Sequence, residues 1–206
     1  MKSFPLIPAA ILAATAAFFT HAAQAVAVPN GALPGFYLGG QMGYTQLGYD
    51  DGDFTNSSSI TRVNNDGIGG RVYFGYQINH YFGAEAGYTL YGMARVTGFN
   101  NNSSLGGDIR HQALDIVLKG TYPLVDSGFN IYGKAGVAFV KETASQTLIT
   151  AADYSDNNAT LFTYGAGATY NIWPQVPLEF SWTQVLHNNE IANSSLAAIG
   201  IGYYFG

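Results

Sequence analysis

Alternation between apolar residues and small or polar residues is the main pattern of this chain from residue 36 onward. In one segment, Val72, Phe74 and Tyr76 share a face, while Arg71 and Gly75 lie on the other. A period of two residues predicts β-strands. Eight segments follow this pattern, at residues 36–45, 68–78, 82–91, 111–122, 131–139, 162–172, 178–183 and 198–205.

The charged residues of these segments lie on the glycine-rich face, not on the apolar face. They are Arg71, Glu85, Asp115, Lys119, Lys134 and Glu179. A soluble barrel would place its apolar face inside and its charges outside. We therefore expect the apolar face to meet lipid and the glycine-rich face to line a narrow lumen. Because open sheet edges are not stable in hydrocarbon, the fold class is an all-β, closed, eight-stranded antiparallel transmembrane β-barrel.

The connections between segments alternate between long and short. Long connections are predicted at residues 48–66, 95–108, 142–158 and 188–194, and short ones at 79–80, 123–128 and 173–176. Transmembrane barrels of bacteria have short periplasmic turns and longer extracellular loops. Aromatic residues gather near the predicted short turns, as an interfacial girdle should. This group consists of Tyr76, Tyr81, Tyr122, Tyr170, Trp173, Tyr203 and Phe205.

Composition agrees with this interpretation and excludes other classes. Only 10% of the 206 residues are charged, against roughly 25% in ordinary soluble domains. Beyond residue 25, no apolar run is long enough for a membrane-spanning helix. The net charge is −5 and the eight basic residues are scattered, so nucleic acid is not an expected partner. The chain has no cysteine, which excludes disulfides and thiolate chemistry.

The first 25 residues are predicted to be a signal peptide. Lys2 supplies a positive start, an apolar stretch follows, and residues 23–25 read Ala-Gln-Ala, the pattern that signal peptidase recognises. A retained anchor is the alternative, but the apolar stretch is shorter than the ~20 residues that a spanning helix needs. We expect residues 26–206 to form the barrel domain, exported to the bacterial outer membrane.

The segments resemble the transmembrane barrel domain of outer membrane protein A and its opacity-protein relatives. The likeness lies in five stretches that cover the predicted mature chain in order: residues 35–40, 75–88, 119–123, 178–183 and 200–206. The terminal aromatic strand ending at Phe205 is similar to the signal that the barrel-assembly machinery reads, although Gly206 follows it. The resemblance implies an outer-membrane lipid environment and an interior charge network.

The six charges predicted for the lumen sum to zero, and we expect them to form an ion-pair network that seals it. An unpaired charge there would cost several kcal/mol. The resemblance implies network positions at Glu85, Lys119 and Lys134. It departs at Thr169 and Pro177, where the family typically has a further acid and base. A narrow channel for small solutes is the alternative.

Catalysis is the third hypothesis, because some eight-stranded outer-membrane barrels resemble lipid-modifying enzymes. His187, Glu190 and Ser194 are the local set of that type, but an ordinary loop histidine is the simpler interpretation. His111 and Asp115 share a face but stand ~13 Å apart, too far for a hydrogen bond. The histidines show no metal-ligand spacing, and a loop that contains Asp50, Asp51 and Asp53 is more simply a solvated acidic loop.

The sequence thus predicts an outer-membrane barrel with a structural and surface-contact role, which can include adhesion. No enzyme activity, metal or cofactor is expected. The partners expected are the lipid bilayer, the barrel-assembly machinery and surface or host ligands at the loops.

Overall fold

The computed structural model describes residues 32–53, 61–98, 102, 105–124, 127–151 and 155–205. The predicted signal peptide lies outside these residues. The strands are β1 (Gly35–Leu47), β2 (Arg62–Asn64), β3 (Asp66–Gln77), β4 (Phe82–Leu90), β5 (Ala94–Thr97), β6 (Gly106–Pro123), β7 (Phe129–Ala144), β8 (Asn157–Trp173), β9 (Val176–Val185) and β10 (Ser194–Tyr204). One short helix, α1 (Gln146–Ala151), follows β7. No helix within the described residues is long and apolar enough to cross a membrane.

Eight of these strands form a closed antiparallel ring, which confirms the predicted fold class. The order around the ring is β1, β3, β4, β6, β7, β8, β9 and β10. The first and last ring strands pair along their length, from Tyr37 opposite Tyr204 to Leu47 opposite Ser194. The pairing of β6 with β7 completes the circle. No edge of the ring is therefore left open to lipid.

The predicted faces are also confirmed. Outward apolar side chains are well exposed, for example Ile68 at 78%, Leu118 at 73% and Met42 at 67%. Their inward neighbours are buried, among them Tyr37, Tyr73 and Tyr132. A water-soluble barrel would show the opposite arrangement, so this surface requires an apolar solvent.

The turns at the predicted periplasmic end are short. The Asn79 side chain accepts hydrogen bonds from the backbone N–H groups of Tyr81 and Phe82, which fixes the β3–β4 turn. Gly128, in the β6–β7 turn, has a φ of 72°, a conformation that favours glycine. Near these turns, Tyr122 and Trp173 are each 62% exposed, as residues of an interfacial girdle should be.

The ring strands are joined by long connections at the four predicted places, but the predicted bounds contain ordered elements that the sequence did not indicate. Residues 48–66 contain β2, and residues 95–108 contain most of β5 and the start of β6. Residues 142–158 contain the end of β7, α1 and the start of β8. The strands β2 and β5 pair with each other, and β5 pairs with β6 above the ring. A backbone ladder needs no apolar alternation where both faces are outside lipid, so the sequence pattern did not show it.

Candidate functional site: the barrel lumen

Arg71 is the centre of the buried charge network in the lumen. Its Nη2 and Nε donate to Asp115 at 2.6 and 3.2 Å, and its Nη1 donates to Glu85 Oε2 at 3.2 Å. The side chain is 1% exposed. Gly87 makes room for it, because a Cβ at that position would stand 2.3 Å from Nη2. Glycine on the inward face thus allows a large cation inside a narrow barrel.

Lys119 connects this pair to a second acid. Its Nζ donates to Glu85 Oε1 at 2.9 Å and lies 4.0 Å from Glu179 Oε1. The ammonium also stands 4.3 Å from the centre of the Tyr132 ring, a cation–π distance. All these groups are buried. A buried ammonium in such contacts holds the carboxylates of two different strands together.

Tyrosine hydroxyls satisfy the remaining carboxylate oxygens. Tyr73 and Tyr132 each donate a hydrogen bond to Glu179, and Tyr37 donates to Glu85 Oε1 at 3.1 Å. These inward tyrosines were predicted as residues of the glycine-rich face, but their acceptors were not. Sequence alternation gives the direction of a side chain and not its partner across the lumen.

Lys134 is placed in the lumen but outside these contacts. It pairs across the strands with Lys119, so the two cations are neighbours. Its Nζ is buried and has no hydrogen-bond partner among the described residues. Five of the six predicted charges are therefore within 4.0 Å of an opposite charge in the lumen, while Lys134 acts on the acids only at longer range.

The extracellular half of the interior contains a cluster of buried apolar residues, which the expected ion-pair network did not include. Its buried residues form one cluster, here called the apolar cap: Leu47, Tyr49, Tyr91, Ala94, Val96, Ile109, Ala113, Ala138, Val140, Ala144, Leu148, Leu161, Val185, Ile191 and Leu196. Leu148, from α1, is fully buried in it. Three of these residues, Tyr91, Ala113 and Ala138, were placed on the inward face of predicted strands. Five others, Tyr49, Val96, Ala144, Leu148 and Ile191, fall in the predicted connections, and the remaining seven lie between the predicted strands and the predicted connections.

A second polar group, here called the external polar cluster, lies beside the apolar cap and consists of Tyr49, His111, Glu142 and Ser194. His111 Nδ1 is 2.7 Å from Ser194 Oγ, and Nε2 is 3.0 Å from Glu142 Oε2. The Tyr49 hydroxyl is 2.6 Å from His111 Nε2 and donates to Glu142. His111, Glu142 and Ser194 are each at most 1% exposed. Four distant segments are thereby joined across the mouth of the barrel.

This cluster replaces the set considered from the sequence. His187 and Glu190 are exposed, and Ser194 instead contacts His111, 83 residues earlier. His111 and Asp115 are not a dyad, since Asp115 is hydrogen-bonded to Arg71. Glu142 was assigned to a loop, so its inward direction was missed. Register between the adjacent strands β6 and β7 places Glu142 opposite His111, whereas closure of the barrel brings Ser194 and Tyr49 to them.

Glu142 lies beyond the lipid-facing band, because the outward row of β7 changes there from Phe139 to Lys141. Burial by itself would raise the pKa of the Glu142 carboxyl. Hydrogen bonds from His111 and Tyr49 outweigh burial and hold this pKa below its ordinary value of 4.5. Glu142 is therefore a carboxylate at neutral pH.

The described residues include no group of three or more acids, histidines or cysteines suited to a metal ion.

Comparison with known proteins gives a family match over most of the chain. The model of the outer membrane protein beta-barrel domain matches residues 10–205. Outer membrane protein A of Salmonella typhi is 28% identical over 202 residues, which cover 95% of this chain and 54% of that protein. Outer membrane protein A of Escherichia coli O157:H7 is 28% identical over 204 residues, with the same coverage. The chain spans about half the length of these curated relatives.

Solved structures show the same fold at low identity. Neisserial surface protein A matches with a TM-score of 0.54 and 17% identity, over 82% of this chain and 97% of that one. The outer membrane protein OprG from Pseudomonas aeruginosa matches with a TM-score of 0.55 and 15% identity, over 85% of this chain and 98% of that one. At these identities the likeness concerns the fold alone.

Proposed function

Because this chain belongs to the outer membrane protein β-barrel family, we propose that it is a sealed barrel with a structural and surface-contact role. The family and its relatives place it in the bacterial outer membrane, embedded in the lipid bilayer. The barrel acts as the anchor. The part that contacts other molecules is the sheet and loops that stand above it.

The observation that supports the proposal is that two layers of buried side chains, here called the lower and the upper closure, lie one above the other in the lumen. The lower closure is the network that Arg71, Glu85, Asp115, Lys119 and Glu179 form with the inward tyrosines. The upper closure is the apolar cap. An ion that passed the charged layer would still have to pass the apolar cap, where a charge that loses its hydration without gaining a partner costs several kcal/mol or more. This arrangement favours a seal over a channel.

The surface-contact role is supported by the structured region above the ring. The strands β2 and β5 extend one wall outward and α1 covers part of the mouth. Rigid scaffolds that carry polar loops are a common way to present a binding surface. Contact with host or other surface ligands, including adhesion, is part of the proposal. The aromatic end of β10, with Phe205 directly after it, would direct the chain to the barrel-assembly machinery.

Planar-bilayer recording tests the seal. The purified protein should give no discrete conductance steps, and regular steps would favour the small-solute channel instead. Lys119→Met removes one cation from the lower closure, and it should also remain silent because the apolar cap still closes the lumen. If this variant conducts and the natural chain does not, the ion pairs alone form the seal and the two-layer proposal is wrong. A mobility shift on boiling in detergent shows that each sample is folded.

Acyl transfer is a second candidate function, supported by one observation. Ser194, His111 and Glu142 form a hydrogen-bonded chain of hydroxyl, imidazole and carboxylate, the arrangement that activates a serine nucleophile. Against it, all three side chains are buried, so a substrate would have to enter the barrel mouth. A fluorophosphonate probe should leave the folded protein unlabelled. Labelling that disappears in Ser194→Ala would establish the catalytic alternative.

A further inference from the structure

The basic residues of this chain are divided between two places. Of its eight lysines and arginines, Lys2 lies outside the described residues and three line the lumen. The other four all lie exposed on the outward face of neighbouring strands above the ring. They are Arg62 on β2, Arg95 on β5, Arg110 on β6 and Lys141 on β7, here called the rim row. The rest of the described outer wall carries no lysine or arginine.

Strand register makes the rim row continuous. On one side, Arg95 pairs with Asn64 of β2, which is two residues from Arg62. On the other side, Arg95 pairs with Asp108 of β6, which is two residues from Arg110. Arg110 pairs with Thr143, two residues from Lys141. Each cation is thus the diagonal neighbour of the next, at roughly 7 to 8 Å between Cα atoms. Four cations on four adjacent strands form one oblique line along a single wall.

The acids around the rim row neutralise only part of it. Asp108 Oδ1 lies 3.5 Å from Arg95 Nε, in an exposed pair that is worth little in water. Among the described residues, Arg110 and Lys141 have no carboxylate within 4.0 Å. Within the described part of the chain, Arg110 Nε donates a weak hydrogen bond to the Met93 sulfur at 3.0 Å. The guanidinium and the ammonium keep donor groups for another partner.

The height of the rim row indicates the partner. Lys141 is two residues beyond the lipid-facing Phe139, and Arg110 is four beyond the lipid-facing Leu114. At ~3.3 Å per residue these are rises of roughly 7 and 13 Å along tilted strands, the level of the headgroups of the outer leaflet. A shallow groove between β7 and β8 runs from Phe139 past Lys141, with Asn158 and Thr160 on its other side. The groove is therefore apolar at Phe139 and polar at Lys141 and Asn158.

We propose that the rim row binds the phosphate groups of the phosphorylated lipids in the outer leaflet. Arginine and lysine are the side chains that recognise phosphate, arginine through paired hydrogen bonds. The side chains stand on the outside of the wall, where headgroups surround the barrel, and not at its mouth, where a soluble ligand would approach. This inference needs only the outer-membrane location and holds whether the lumen is sealed or conducting.

The experiment compares binding of diphosphorylated lipid A with binding of its dephosphorylated form, in mixed detergent micelles. The test variant is Arg110→Gln with Lys141→Gln. A matched control, Gln184→Glu with Asn188→Asp, changes the net charge by the same amount on a different wall of the barrel. Because each cation near an anionic surface contributes about 1 kcal/mol, the test variant should bind the diphosphorylated lipid roughly 10- to 30-fold more weakly. The natural chain and the control should bind it equally.

The natural chain should also prefer the diphosphorylated lipid to the dephosphorylated one, and lose this preference as salt rises. Equal binding of the diphosphorylated lipid by the test variant and the natural chain overturns the proposal. A second result also overturns it: the natural chain binds both lipids equally but binds a soluble sulfated polysaccharide through Arg110 and Lys141. The partner would then be a different class of molecule. The mobility shift on boiling confirms that both variants are folded, so weaker binding is not a folding failure.

Discussion

Replacing Arg71 with methionine is the sharpest test of the lower closure. Arg71 makes two hydrogen bonds to Asp115 and one to Glu85, and both acids are buried. Methionine preserves much of the side-chain volume and removes the charge. The two acids are affected unequally, because Glu85 keeps Lys119 and Tyr37 as donors. Asp115 has no other hydrogen-bond partner among the described side chains.

The expected loss of stability follows from this difference between Asp115 and Glu85. A buried carboxylate that loses its cation typically destabilises a protein by about 3 to 5 kcal/mol. We therefore expect Arg71→Met to lower the free energy of unfolding by that amount, most of it from Asp115. Adding Asp115→Asn removes the stranded charge and should restore the larger part of the loss. The double variant should thus be more stable than Arg71→Met alone, with a coupling energy of about 2 to 3 kcal/mol.

Urea titration in lipid vesicles measures these differences. The fraction of folded protein is read from electrophoretic mobility without boiling, since a closed barrel and its unfolded chain migrate differently. Asp115→Asn alone completes the cycle, and its loss should be smaller because Arg71 keeps Glu85. If Arg71→Met unfolds at the same urea concentration as the natural chain, or if the two substitutions simply add, the buried network is not what stabilises this region.

Two further predictions concern other parts of the barrel. The pKa of Glu142 is lower in the folded chain than in the unfolded chain. The charged Glu142 carboxylate therefore stabilises the fold fully above the unfolded pKa near 4.5, and this stabilisation disappears as the pH falls through the folded pKa. Glu142→Gln should therefore lower Tm at pH 7 and have little effect near pH 3; an equal loss at both pH values would contradict the assigned charge. Gly136→Ala would place a Cβ 2.0 Å from the carbonyl oxygen of Ile116 and should reduce the folded fraction by urea titration, whereas Gly120→Ala, with nothing within 4 Å, should be neutral. Gly120 lies on the outward face of β6, so similar losses for both glycines would show that the close approach at Gly136 is not the reason.

Much of the fold could be predicted because one rule governs every ring strand. The direction of Phe74 or Leu118 depends only on alternation along its own strand, which the sequence displays directly. The strand number and the alternating connection lengths follow from the same pattern. Beyond the lipid band this rule ends, and β2, β5 and α1 were therefore missed. In that region Val96 is buried in the apolar cap, but β5 has only four residues, too few for their alternation to predict a strand.

The candidate site was predicted as a set of inward charges but not as a set of contacts. Arg71 and Asp115 are 44 residues apart, and His111 and Ser194 are 83 apart. Their meeting depends on the stagger between strands and on closure of the ring, which are properties of the whole sheet. For the same reason, alternation could not predict that Lys134 would lie beside Lys119 without a hydrogen-bonded carboxylate.

By itself, the amino-acid sequence determined which side of each strand faces lipid, because a two-residue period is a local property of the backbone. The tertiary structure alone decided which buried groups touch, how the apolar cap forms in the upper interior and how four scattered cations come to stand in one row. Those outcomes depend on register between strands that are distant in the chain, and register is set only when the barrel closes.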